Sequence, residues 1–168
     1  ACRAALLMQK RQLELREKWR KEGGWPDIVY EMKTRIGLNS GQAIIGNMGS
    51  RRRFNYTMMG DTVNLAARSE SGAKSYGVYT MITSETKTLA QGFKDDITFR
   101  FLDRIIVKGR SAPVEMYELV GFDSEISAET LECLSLHKRG MERYLSQDWD
   151  GAKALFERSA KREIHQDA

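Results

Sequence analysis

Four glycines interrupt two strand-like runs that lie between residues 33 and 49. Residues 33–39 alternate in polarity up to an Asn39-Ser40-Gly41 turn, and residues 42–48 return with apolar side chains, so the two runs are predicted to form a hairpin or a tight strand pair. The glycines are Gly37, Gly41, Gly46 and Gly49. Glycine at this density indicates either close approach of another backbone or a ligand, or a bulged and strongly twisted sheet.

A helix is predicted directly after this strand region, because Asp61 is well placed to cap a run from residue 62 to about residue 74. An earlier helix is expected from about residue 4 to residue 21, ending at Gly23-Gly24. The other predicted elements are a strand at 79–82, a short helix at 84–91, a two-stranded ribbon within 99–119, and helices at about 129–146 and 150–161. This order of elements predicts the α+β class with a C-terminal helical hairpin.

The composition supports a folded domain and excludes several classes of function. Of the 168 residues 41% are hydrophobic, and no apolar run approaches the roughly 20 residues needed to cross a bilayer. The segment is therefore expected in the cytoplasm, with membrane attachment only through regions outside it. The 27 basic residues are matched by 23 acidic ones, so no nucleic-acid partner is expected. The cluster Arg51-Arg52-Arg53 is predicted to be a solvated hairpin tip, and Cys2 and Cys133 to be reduced, structural thiols.

Two polar residues on the predicted central helix suggest phosphate chemistry. Asn64 and Arg68 lie four residues apart, so both side chains leave the same helix face shortly after its start. A helix N-terminus offers unpaired N–H groups and partial positive charge, and arginine offers a planar fork of donors that suits phosphoryl oxygens. Taken alone, such a pair is more often a surface pair than a catalytic site.

The residues around this pair resemble a known enzyme signature. Residues 56–68, Tyr-Thr-Met-Met-Gly-Asp-Thr-Val-Asn-Leu-Ala-Ala-Arg, are similar to the signature of class III adenylyl and guanylyl cyclases. Three further matches occur in the family order, at residues 35–41, 46–50 and 107–109. The resemblance implies that residues 1–122 are the C-terminal portion of a ferredoxin-like palm domain, truncated here. It also implies homodimers with active sites shared across the interface.

The resemblance further implies a role for each matching residue in converting ATP to 3′,5′-cyclic AMP and pyrophosphate. Arg68 would stabilise charge on the α-phosphoryl group, and Asn64 would hold the ribose in line. Lys108 would contact the terminal phosphates, while Thr57 and the backbone of Met58 would lie along the purine. Threonine at the purine-reading position favours ATP, because guanylyl cyclases more often carry cysteine there. A guanylate cyclase, and a non-catalytic regulatory or dimerisation module with the same fold, remain the alternatives.

The family pattern also implies two Mg²⁺ or Mn²⁺ ions that this segment does not hold. The two aspartates that bind them belong to strands upstream of the first predicted helix, so no metal ligand is assigned here. Gly60-Asp61 resembles the required Gly-Asp pair but lies inside the helix signature. Because the charge on the triphosphate then lacks its counterpart, the segment alone is expected to be inactive.

The C-terminal segment, residues 123–168, is predicted to be a separate helical extension. Its Gly140, Tyr144, Trp149, Ala152 and Phe156 resemble the core of one tetratricopeptide helix pair, with a generic helical hairpin as the alternative. Aromatic residues Phe54 and Tyr56 are expected to pack in a core or an interface rather than to stack on a base. His137 and His165 are expected to have surface or packing roles.

Overall fold

The computed structural model of the chain describes residues 1–50, 52–92, 96–107 and 112–162. Within these residues a four-stranded sheet has the strand order β1-β4-β6-β5, and a separate two-stranded sheet pairs β2 with β3. The strands are β1 (Ile36–Leu38), β2 (Ile44–Ser50), β3 (Arg53–Met59), β4 (Thr80–Thr83), β5 (Ile97–Ile105) and β6 (Val114–Phe122). The helices are α1 (Cys2–Glu22), α2 (Asp27–Tyr30), α3 (Asp61–Ala73), α4 (Ser84–Gln91), α5 (Ala128–Leu145) and α6 (Trp149–Ala160). The α+β class is confirmed, as is the C-terminal pair of helices.

The predicted pairing of residues 33–39 with residues 42–48 is wrong. β1 instead pairs in parallel with β4, and β2 pairs antiparallel with β3 from Ile44↔Met59 to Ser50↔Arg53. The chain turns away from β1 at Gly41, whose φ of 156° is one that other residues rarely adopt. β2 and β3 each have seven residues, so the two strands of this hairpin match in length. Arg52 lies in the turn between them and is exposed, and Arg51 lies outside the described residues.

Two apolar clusters, one on each face of the larger sheet, hold the domain together. Met81 and Ile82 are neighbours on β4 and both are fully buried, because successive strand residues point to opposite faces. One cluster packs α3 against the sheet through residues that include Leu65, Ala73, Met81 and Met116. The other packs α1 and α4 through residues that include Cys2, Ala5, Ile82 and Ala90. The sheet thus lies between two helical layers.

A tyrosine fixes the end of α3 to the far strand of this sheet. Tyr76 lies in the short 3₁₀ turn Lys74–Tyr76 that follows α3, and its hydroxyl donates a hydrogen bond of 2.9 Å to Asp103 on β5. Partial burial, and then the bond to Asp103, raises the pKa of Tyr76 to about 12. The hydroxyl therefore keeps its proton and remains a donor at neutral pH.

The C-terminal helices α5 and α6 form a tightly packed hairpin that also contacts β5. A Cβ built on Gly140 would lie 2.6 Å from the ring of Phe156, so the two helices cross at a position that only glycine fits. Tyr144 and Trp149 meet edge to face at 5.4 Å, near the end of the hairpin. Cys133 is buried and free, within hydrogen-bonding distance of Ser159 at 3.3 Å. His137 packs beside the Phe156 ring, and His165 lies outside the described residues.

Among the residues that the structure describes, no helix combines the length and the apolar character needed to cross a bilayer.

Candidate functional site

The strand β3 leads directly into the helix that carries the predicted catalytic pair. Gly60 alone separates Met59, the end of β3, from Asp61, the start of α3. The prediction that Asp61 caps this helix is wrong: Gly60 is the N-cap, and its carbonyl accepts hydrogen bonds from the N–H groups of Val63 and Asn64. A φ of 145° at residue 60 turns the strand into the helix, and glycine adopts this angle without strain. Asp61 instead places a negative charge in the first turn, where the helix dipole favours it.

Helix α3 turns one side to the sheet and presents the predicted pair on another. Leu65, Ser69 and Ala73 recur every fourth residue and are buried, with the Ser69 hydroxyl donating to the Leu65 carbonyl at 2.9 Å. Asn64 and Arg68 precede two of these buried residues and are both exposed. The structure therefore brings Asn64 and Arg68 together on one exposed helix face, as the spacing predicts.

The predicted purine-reading residues lie on β3, one element upstream of the pair. Thr57 is opposite Gly46 and Met58 is opposite Ile45 in the β2–β3 register, and both side chains are exposed. β3 also contacts α3, so strand and helix form one continuous surface. Lys108, predicted to contact the terminal phosphates, lies outside the described residues.

The β2–β3 hairpin exposes an unusual amount of apolar surface. Six of its large apolar side chains are 54–76% exposed, and they are Ile44, Ile45, Phe54, Tyr56, Met58 and Met59. Ile45, Phe54, Tyr56 and Met58 share one face of the hairpin in the β2–β3 register, and an exposed apolar face of this kind marks an interaction site. Tyr56, at 76% exposure, and Phe54 have no core around them in this chain. Core packing, one of the two roles expected for them, is therefore excluded within the described part of the chain, and interface packing remains.

Asn39, expected only as a turn residue, joins α3 to the sheet. Its side-chain amide donates to the carbonyl of Thr62 at 3.0 Å and accepts from the hydroxyl of Thr83 at 2.7 Å. Beside it, α3 touches β1 backbone to backbone, since a Cβ on Gly37 would lie 2.2 Å from the Ala66 carbonyl oxygen. The polar residue directly after a short glycine-containing strand is the signal that could have identified Asn39.

The described residues do not supply the donors of a two-metal site. No three His, Cys, Asp or Glu side chains in this part of the chain are close enough together to hold an ion. Asp61 is the one acidic residue in the first turn of α3. The described residues therefore show no site for the divalent ions that the cyclase class uses in general.

A cavity of about 410 Å³ lies away from the predicted site, between α1 and the ends of β4 and β6. Leu6, Gln9, Thr80, Leu119 and Phe122 are among its lining residues, and none of the predicted site residues is. The cavity therefore plays no part in the site formed by β3 and α3.

Comparison with known proteins identifies the family of this chain. Residues 2–121 match the family described as adenylate and guanylate cyclase catalytic domain, which covers β1 to β6 and the surface of β3 and α3. The chain belongs to this family. Its cyclase domain is 40% identical over 121 residues to "Adenylate cyclase 1" of Rhizobium meliloti, a match that covers 72% of this chain and 17% of the relative.

More distant relatives and solved structures agree with this cyclase assignment. "Adenylate cyclase, terminal-differentiation specific" of Dictyostelium discoideum is 32% identical over 127 residues, which are 75% of this chain and 6% of that protein. The crystal structure of the adenylyl cyclase CyaB from P. aeruginosa matches with a TM-score of 0.56 and 32% identity, covering 73% of this chain and 58% of the other. A bacterial light-regulated adenylyl cyclase gives the same TM-score at 28% identity, over 70% of this chain and 33% of the other. This chain thus spans only a part of the cyclases that it resembles.

Proposed function

We propose that this chain is part of an adenylate cyclase that converts ATP to 3′,5′-cyclic AMP and pyrophosphate. The observation that carries the proposal is the placement of Asn64 and Arg68 on one exposed face of α3, immediately after the strand that bears Thr57. Membership of the cyclase family and relatives named adenylate cyclase support it. Because the chain spans 17% of the Rhizobium relative, the activity proposed is that of the full-length protein that carries these residues.

In the proposed reaction the ribose 3′ oxygen attacks the α-phosphorus of the same ATP molecule. An O3′–P bond forms, the bond from the α-phosphorus to the bridging oxygen breaks, pyrophosphate leaves, and the 3′ hydroxyl proton passes to solvent. Arg68 holds the negative charge that accumulates on the α-phosphoryl oxygens, because its guanidinium offers several fixed donors. Asn64 holds the ribose so that attack is in line.

The purine and the terminal phosphates are assigned to the remaining predicted residues. Thr57 offers a hydroxyl that can donate to or accept from the adenine edge, and the backbone of Met58 lies along the same purine. Lys108 contacts the terminal phosphates. Two Mg²⁺ or Mn²⁺ ions would neutralise triphosphate charge, and no cluster of side chains that could hold them is found among the described residues.

We also propose that the protein works as a homodimer with shared active sites. The exposed apolar side chains of the β2–β3 hairpin support this, because they adjoin α3 and need a partner surface to be buried. The division between a cyclase portion at residues 1–122 and a helical extension at residues 123–168, and the location of the segment in the cytoplasm, remain proposals of the same kind.

Cyclic AMP formation by the full-length protein tests the enzyme proposal directly. With Mg²⁺ or Mn²⁺ we expect cyclic AMP from ATP and less cyclic GMP from GTP, while residues 1–168 alone should form neither, because no metal-binding cluster is found among the described residues. Product formation is measured by chromatography. Preference for GTP would favour the guanylate cyclase alternative, and nucleotide binding without turnover would favour the regulatory module.

Because Thr57 is proposed to read the purine, replacing it tests the choice between ATP and GTP. Thr57→Val keeps the shape of the side chain and removes its hydroxyl, so the ratio of kcat/KM for ATP over GTP should fall about tenfold, as expected for one lost hydrogen bond. An unchanged ratio would mean that Thr57 does not read the purine.

We further propose that α5 and α6 form one tetratricopeptide-like helix pair, which docks on the cyclase domain, pairs with another copy or begins a longer array. The contact of Gly140 with the Phe156 ring, and the exposed Tyr144 and Trp149 side chains, support this. A single pair of helices cannot cover both of its faces.

Gly140→Ala should loosen this helix pair even though alanine favours helices by about 1 kcal/mol. The added methyl group overlaps the Phe156 ring, and overpacking costs typically 1–3 kcal/mol, so amide hydrogen exchange in α5 and α6 should speed up. In the double variant G140A/F156L the overlap is relieved, and G140A should then slow exchange relative to F156L alone. Slower exchange in G140A alone would contradict the packing.

A further inference from the structure

Both halves of the Asn39 amide are engaged, which fixes this side chain in one orientation. The Nδ2 group donates to the Thr62 carbonyl in the first turn of α3, and Oδ1 accepts from the Thr83 hydroxyl at the end of β4. Asn39 itself is half-buried, at the end of β1. One side chain therefore connects the helix that carries Asn64 and Arg68 to the central strand of the sheet.

The Thr83 end of this connection is rigid. Thr83 is 1% exposed and is the N-cap of α4, where its hydroxyl oxygen accepts from the Thr86 N–H while its proton goes to Asn39. Thr86 is 5% exposed, and its hydroxyl lies 3.0 Å from the Ser40 hydroxyl. A hydrogen-bonded network that is mostly buried holds its geometry well.

The Thr62 end lies one helical turn from a second contact between α3 and β1. A Cβ on Gly37 would meet the backbone of Ala66 at 2.2 Å and of Glu70 at 2.3 Å, and a Cβ on Gly41 would meet the Thr62 hydroxyl at 2.6 Å. Residues 62, 66 and 70 follow one another at intervals of four, so they form a single stripe along α3. The close backbone contact fixes the distance between α3 and β1. The Asn39 hydrogen bond fixes the position of α3 along its axis and its rotation about that axis.

The catalytic pair is on the side of α3 away from this stripe. Asn64 and Arg68 each follow a stripe residue by two positions, which is about 200° of rotation at 3.6 residues per turn. Any turn or slide of the helix therefore moves both side chains relative to the substrate. A misplacement of about 1 Å at a reacting group can lower a rate by about 100-fold.

We propose that Asn39 is a positioning residue of the cyclase: its amide fastens the first turn of α3 to the buried Thr83, and thereby aims Asn64 and Arg68 at the substrate. This inference rests on the proposed function, since it assigns Asn39 to that reaction. Asn39 acts through α3 and does not itself touch the reacting atoms.

Four variants of the full-length protein test the proposal. Asn39→Leu removes both hydrogen bonds, Asn39→Asp keeps the acceptor for Thr83 but loses the donor to Thr62, and Thr83→Val removes the anchoring hydroxyl. Thr83→Ser restores that hydroxyl. We expect kcat for cyclic AMP formation to fall at least tenfold in the first three, with KM for ATP changed less than threefold, and to stay within twofold of wild type in Thr83→Ser.

Amide hydrogen exchange separates positioning from general destabilisation. Exchange at residues 63–67 should accelerate in Asn39→Leu and Asn39→Asp and not in Thr83→Ser. Ser159→Ala, which loosens the α5–α6 pair through the lost bond to Cys133, is the control and should leave kcat unchanged. If Asn39→Leu does not fold, Asn39→Asp decides the outcome. Wild-type kcat in Asn39→Asp would overturn the proposal whatever its exchange, and so would a lowered kcat with wild-type exchange at residues 63–67.

The two readouts also distinguish this inference from the function on which it rests. A wild-type protein that forms no cyclic AMP overturns the proposed function and the catalytic role of Asn39 with it, while the exchange data still decide whether Asn39 fastens α3. A wild-type protein that forms cyclic AMP, with Asn39 variants that match it in kcat, overturns the inference and leaves the proposed function intact.

Discussion

Replacing Arg68 by alanine in the full-length protein should lower kcat for cyclic AMP formation by 100-fold or more, with KM for ATP changed less than threefold. The guanidinium is proposed to meet charge that develops on the α-phosphoryl oxygens during attack, so its loss acts on the transition state more than on bound ATP. Removing one such preorganised donor typically costs about 3 kcal/mol, which corresponds to the expected fall. Steady-state kinetics with ATP give both constants.

Two matched variants control for the effect of changing an exposed charge on α3. Glu70→Ala changes a side chain two positions further along the same helix and should leave kcat within about twofold of wild type. Arg68→Lys keeps the charge but not the planar fork, so it should recover only a small part of the loss. Equal losses in kcat and in ATP affinity for Arg68→Ala would identify Arg68 as a binding contact instead.

Local patterns predict the elements of this chain well, because the deciding interactions lie within a few residues of each other. The first helix ends at Glu22, directly before the Gly23-Gly24 pair that predicts its end, and the last two helices are within two residues of their predicted bounds. The four-residue spacing of Asn64 and Arg68 likewise suffices to place both on one helix face.

The strand pairing could not be predicted in the same way, because the deciding partner is distant. β1 pairs with β4, whose residues follow it by 44 positions in the chain, from Ile36↔Thr80 to Leu38↔Ile82. Nearby residues 42–48 offer an apolar strand as well, but residues 44–50 pair with β3 instead. When two paired strands are this far apart in the sequence, no local pattern predicts that they pair.

The cap of α3 and the role of Asn39 were missed for a related reason. Asp61 is the stronger capping residue by preference, yet the turn from β3 requires a φ of 145° that glycine provides one position earlier. Asn39 lies where β1, α3 and β4 meet, and its two hydrogen-bond partners are residues 62 and 83, both distant in the sequence. Interactions that depend on three elements are visible only in the folded chain.

The β2–β3 hairpin presents an apolar face that no described element covers. Ile45, Phe54, Tyr56 and Met58 share this face in the register and are all exposed. Such a face favours a second subunit as the covering surface. The site surface of β3 and α3 then adjoins the interface of the proposed homodimer.

Gly37→Ala should displace α3 and lower kcat for cyclic AMP formation by about 100-fold, although residue 37 touches neither nucleotide nor catalytic side chain. The new methyl group would lie 2.2 Å from the Ala66 carbonyl oxygen and 2.3 Å from the Glu70 nitrogen. Both are backbone atoms that no side-chain rotation can move, so the helix must shift by about 1 Å, and such shifts of a catalytic group cost about 100-fold. Overpacking should also lower the free energy of opening of α3 by about 1–3 kcal/mol.

Gly46→Ala is the matched control, since a Cβ at residue 46 meets nothing within 4 Å. It should change the free energy of opening by no more than about 0.5 kcal/mol, because no atom has to move. Amide hydrogen exchange at residues 61–73 measures this quantity in the full-length protein, and steady-state kinetics measure kcat. Faster exchange with unchanged kcat in Gly37→Ala would mean that catalysis by Asn64 and Arg68 does not depend on how closely α3 packs against β1. That result would contradict the proposal that the position of α3 controls the reaction.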